Sequence, residues 1–117
     1  MLSVKYRTYV KQLLKDLHDN KKSPYVISII ETEGENSIVV SGIGKGVNAL
    51  YQAISSRLND KIGKETQYIF MSKAPNILEI KFLKDHNVKI VFCSDSLDID
   101  VIEYIEENKI DITFIRD

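Results

Sequence analysis

Tyr6, Val10, Leu13, Leu14 and Leu17 recur at three- and four-residue spacing, the period that stacks side chains on one face of a helix. The pattern predicts a first helix over 3–19, stopped by Asn20, Lys21, Lys22, Ser23 and Pro24. Tyr25 to Ile30 is apolar and β-branched, a strand, and Ser37 to Ser41 is a second one after a turn at Glu33, Gly34, Glu35 and Asn36. Three glycines at alternate positions, Gly42, Gly44 and Gly46, then read as a turn. A second helix follows over about 46–59, with Val47, Leu50, Tyr51, Ile54 and Leu58 on one face and Asn59, Asp60, Lys61 and Gly63 ending it.

The second half echoes the first. Gln67 to Met71 reads as a strand, and Pro75 and Asn76 punctuate. Leu78, Ile80 and Phe82 alternate with Glu79 and Lys81, which predicts a strand, turned at Lys84 to Asn87 into a return strand at Val88, Ile90 and Phe92. The alternative makes 75–86 a helix and the C-terminal half a βαβ repeat. Ser94, Asp95 and Ser96 offer caps for a helix over about 96–108, with Leu97, Val101, Ile102 and Ile105 inward, and Ile110 to Ile115 is a last strand. The preferred reading is an α+β domain: a mixed sheet with helices on one face, built from two ββα-like units preceded by an N-terminal helix. One domain spans 1–117, with the N-terminal helix in 1–22, the first unit in 25–60 and the second, with its C-terminal strand, in 66–117. The helix-free face, or the sheet edge, would invite pairing with a second copy.

Composition narrows the class. A 117-residue chain that is 44% hydrophobic and 28% charged fits a small globular domain. No apolar run approaches the roughly 20 residues that span a bilayer, and MLSVKYRTYVKQLL is too charged for a signal-peptide core. Cys93 is the single cysteine, so no internal disulfide forms and a cytoplasmic location is expected. Net charge is −1, which gives no general nucleic-acid signal. The ends differ: residues 1–24 carry six cations against two acids, a local +4, and residues 95–117 carry eight acids against two cations, a local −6. They either attract each other or form two solvated helix faces.

Candidate chemistry concentrates at Gly42, Gly44, Lys45, Gly46, Val47 and Asn48. A strand, a Gly-rich turn and a helix in succession place backbone N–H groups at the positive end of a helix dipole, a site for a carboxylate or phosphate. Equally, a tight strand-to-helix turn needs glycine for its backbone freedom alone. GIGKGVNA lacks the GK[ST] ending of a P-loop and the glycine spacing of a dinucleotide fingerprint, so no cofactor is expected. His18 and His86 stand apart with no Cys or His at metal-ligand spacing, and Ser41 before Gly42 is not a nucleophile elbow. Asp95, Asp98 and Asp100 read as helix-dipole partners in preference to a cation site. No catalytic or metal residue is expected.

The run Gly44-Lys45-Gly46-Val47-Asn48-Ala49-Leu50-Tyr51-Gln52-Ala53-Ile54 resembles the G-x-G-P-V-[DN]-A-L-[FY]-x-A-I motif of the C-terminal regulatory dimerisation domain of 2-isopropylmalate synthase and citramalate synthase. Cys93 to Glu103 is similar to the stretch that opens that domain's second helix. Lys45 or Gly46 stands where the motif has proline, and Ser94 and Asp95 replace the second Gly-rich turn. The resemblance covers about residues 25–108. It implies a ββα–βββα order, a homodimer, and an amino-acid-like ligand such as leucine or isoleucine near the Gly-rich turns, with no catalysis in this domain. A second resemblance competes: Ile38 to Leu58 is similar to the core of Alba-type nucleic-acid-binding domains, with Lys45 where a basic residue would meet phosphates. That resemblance implies RNA or DNA as partner, against which the charge balance weighs.

Overall fold

The computed structural model describes residues 2–31, 38–55 and 66–116. Within them the chain runs α1 (Val4–Lys21), β1 (Tyr25–Glu31), β2 (Ile38–Lys45), α2 (Ala49–Ser55), β3 (Thr66–Met71), α3 (Ile77–Asp85), β4 (Ile90–Cys93), α4 (Ile99–Glu107) and β5 (Thr113–Ile115). The expected turn at 33–36, Ser37 and the end of the second predicted helix with Leu58 lie outside the described residues.

The five strands form one mixed sheet in the order β2-β1-β3-β4-β5. β1 is antiparallel to both its neighbours, whereas β3, β4 and β5 are mutually parallel. β2 therefore runs the same way as β3, and the carboxyl ends of β2, β3, β4 and β5 share one end of the sheet. The fold is α+β, with the N-terminal helix ahead of a mixed sheet, as the pattern predicts.

Two details differ from that prediction. Residues 77–85 form α3, so the second half is βαβαβ, and the strand expected at Leu78, Ile80 and Phe82 is absent. Ile80 and Leu83 point into the core and Ile77 is partly buried, a spacing of three, while Leu78 stays 66% exposed. The apparent alternation came from Leu78 and Phe82 flanking that stripe. Pro75 and Asn76 begin the helix: the Asn76 side chain accepts from the Glu79 amide at 2.8 Å, and Glu79 Oε1 accepts from the Asn76 amide at 3.1 Å. This reciprocal cap satisfies two amides at the helix start.

The helices also occupy both faces. α1 sets Val10 and Leu14 against Tyr25, Ile27, Ile29, Tyr68, Phe70 and Phe92. α2, α3 and α4 bring Leu50, Ala53, Ile54, Ile80, Leu83 and Val101 onto Val26, Ile69, Met71 and Val91. Tyr25, Ile27 and Ile29 enter one core and Val26 the other, which is why β1 reads as a near-continuous apolar run rather than an alternating one. The face expected to lie open for pairing is covered by α1. Smaller shifts follow at element ends: α1 continues to Lys21, α4 begins at Ile99, and β5 is limited to Thr113–Ile115. Ile102, expected inward, lies largely outside the α4 contact.

Candidate functional site

The six residues singled out by their glycine pattern do not form one turn. Gly42 and Gly44 are strand residues, paired with Ser28 and Val26 of β1, and Lys45 is the last residue of β2, opposite Tyr25. Only Gly46, Val47 and Asn48 make the bend into α2. The register between β1 and β2 slips by one residue between Ser28 and Ile29, a bulge that passes over Ser41.

The glycines answer separate demands. A Cβ on Gly44 would lie 1.9 Å from the Ala49 carbonyl oxygen and 2.9 Å from the Ala53 nitrogen, so α2 crosses β2 at a distance only glycine permits. Gly46 has open space around it but sits at φ +80, in the left-handed region. Small residues on the helix complete the close approach: Ala49 and Ala53 are buried, whereas Val47, expected on the inner face, is 97% exposed.

Three backbone amides in and beside this bend are engaged within the protein. Gly46 N–H donates to the Pro24 carbonyl at 2.8 Å, Ala49 N–H to the Gly46 carbonyl at 3.1 Å, and Lys45 N–H to Gln52 Oε1 at 3.2 Å. Those three amides are therefore not available to an anion. α2 is seven residues long, too short for a substantial dipole to compensate.

The bend instead forms one wall of a cavity of about 260 Å³. Gly46 and Val47 face it from the β2–α2 junction, and Lys73, Asn76 and Glu79 face it from the β3–α3 junction. Val26, Ala49 and Met71 supply apolar wall. The parallel direction of β2 and β3 brings the two junctions together, at the carboxyl ends where sheets of this kind place their ligands. The loop Ser72–Asn76 is held by the sheet and by its neighbour: Ser72 Oγ accepts from the Tyr25 amide at 2.7 Å, Ser72 N–H donates to the Tyr25 carbonyl at 3.0 Å, and Asp95 Oδ2 accepts from the Ala74 amide at 3.3 Å. Burial pushes the Glu79 carboxyl above its ordinary range, against the opposing pull of the Asn76 N–H.

Of the six expected residues, Gly46 and Val47 line this cavity, Gly42, Gly44 and Lys45 belong to the strand, and Asn48 points into solvent. Lys73 and Glu79 were missed. Glu79 read as the outward residue of a strand; the Asn76–Glu79 spacing directly after Pro75 was the signal that it opens a helix. Nothing local marks Lys73.

Asp95 engages the Ala74 amide, and Asp98 occupies the N-cap of α4 without a side-chain capping bond. Among the described residues no three His, Cys, Asp or Glu side chains are grouped to hold a metal ion, and no helix is long and apolar enough to cross a membrane. No family model, curated protein or solved structure matches the chain significantly.

Proposed function

We propose that this domain binds a small amino-acid-like ligand, without turning it over, between the Gly46–Val47 bend and the Lys73–Glu79 junction. The observation that carries the reading is the pairing of one ammonium, Lys73, and one carboxyl, Glu79, on a single cavity of about 260 Å³ with an apolar wall. A free amino acid presents the complementary set: a carboxylate for Lys73, an ammonium for Glu79, and a side chain for Val26 and Met71. The regulatory-domain resemblance favours the same ligand class.

Calorimetric titration with leucine, isoleucine and glutamate tests this. One of them should bind saturably, and Lys73→Ala or Glu79→Gln should weaken it by roughly ten-fold or more, the size expected for one charged hydrogen bond. Absence of heat with all three, or affinity indifferent to both substitutions, would refute the reading.

A further inference from the structure

A larger cavity, of about 590 Å³, lies on the opposite side of the sheet, between α1 and the carboxyl ends of β3 and β4. Its size falls in the range of small-molecule sites, roughly 300–1,000 Å³. Lys11, Lys15 and His18 face it from α1. Their spacing of four and three sets them one above another on a single helix face. Ser72 and Ser94, the first residues beyond β3 and β4, face them from the far wall. No aspartate or glutamate is among the lining residues.

Several observations orient this crevice toward an anion. An anion seated here would lie between the ammonium groups of Lys11 and Lys15 on one wall and the hydroxyls of Ser72 and Ser94 on the other. The floor is apolar: the Phe70 and Phe92 rings stack at 4.3 Å between centroids, and Leu14 packs beside them. Ammonium groups over a low-dielectric floor interact with an anion more strongly than they would in open water.

We infer that this crevice is a second binding site, for a small phosphorylated ligand, its phosphate held by Lys11 and Lys15 and by the hydroxyls of Ser72 and Ser94. A phosphate monoester suits the set better than a carboxylate. It carries about −1.5 to −2 charge and three acceptor oxygens, against two ammonium groups and two hydroxyl donors. The site is separate from the amino-acid cavity and stands whether or not that one is occupied.

The test is calorimetric titration of the full chain at constant ionic strength with pyrophosphate, adenosine monophosphate and, as a control for charge alone, sulfate. Pyrophosphate or adenosine monophosphate should bind saturably at one site and sulfate at least ten-fold more weakly. Lys15→Ala, on the exposed rim, should weaken binding ten-fold or more, and Lys11→Ala/Lys15→Ala should abolish it, with thermal melts confirming folded protein. Glu79→Gln should leave it unchanged. The inference is overturned if neither probe saturates, if sulfate binds equally well, or if Lys15→Ala has no effect. It is likewise overturned if the same lysines instead mediate salt-sensitive binding of a single-stranded RNA while both small probes fail, since that outcome would make α1 a nucleic-acid face.

Discussion

Gly44 and Gly46 stand two residues apart and are glycine for unrelated reasons. At Gly44 the constraint is space, because the Ala49 carbonyl occupies the position a Cβ would take. Gly44→Ala must push α2 off β2 and is expected to cost about 3 kcal/mol, the upper end of overpacking. At Gly46 the constraint is the backbone alone, and Gly46→Ala is expected to cost about 1–2 kcal/mol through its positive φ. Urea denaturation should rank the two in that order, and equal losses would contradict the separate causes. Glu79 makes a prediction in pH. Its carboxyl is raised in the folded chain, so the folded state holds the proton more tightly than the unfolded one. The stabilisation from that group is full below the ordinary glutamate range and is lost as pH rises through the folded value. Glu79→Gln retains a cap at the same position. It should therefore match the parent in acid and exceed it in stability at neutral pH. A variant that is instead less stable at pH 7 would show that the ionised carboxylate is favoured where it sits. These causes lie in the surroundings of each residue, so the glycine pattern could be read from the chain but its division into strand and bend could not.

At the level of elements, α1 and α3 show when periodicity suffices. In α1 five apolar positions repeat over several turns and Ser3 supplies the cap, accepting from the Tyr6 amide at 3.2 Å. In α3 the stripe is only Ile77, Ile80 and Leu83, and the exposed Leu78 together with Phe82 imitates a period of two. Over nine residues the two periods are poorly separated, and the cap decides. Asn76→Ala removes the acceptor for the Glu79 amide and is expected to cost about 1 kcal/mol. Amide exchange should quicken first at the beginning of α3. Unchanged protection there would mean that packing of Ile80 and Leu83, rather than the cap, holds the helix start.

For the whole molecule, topology settles which face each helix covers. The chain passes from β2 to β3 to β4 to β5 in one direction across a sheet in which those strands run parallel. Successive crossovers of one hand then place α2, α3 and α4 on the same face, and the strong preference for right-handed crossovers makes this the expected solution. The other face falls to α1. Cys93, near the carboxyl end of β4, reports on the result: it is 3% exposed, and burial pushes its thiol above the ordinary range. Its reaction with a disulfide reagent should be slow at pH 8 in the native state and should accelerate in urea along the global unfolding curve. Rapid native-state labelling would mean that α1 or the β4–α4 loop opens without global unfolding.

What the chain determined by itself is local. The α1 stripe, the largely apolar run of β1, the glycine-rich passage from β2 toward α2 and a composition suited to one small domain are all present in neighbouring residues. What only the tertiary structure decided is non-local. Gly46 and Val47 meet Lys73 and Glu79 because β2 and β3 run parallel, and Lys11 and Lys15 meet Ser72 and Ser94 because α1 packs on the face left by the crossovers. Neither meeting leaves a mark in sequence spacing, since each depends on strand direction and helix placement rather than on the residues between.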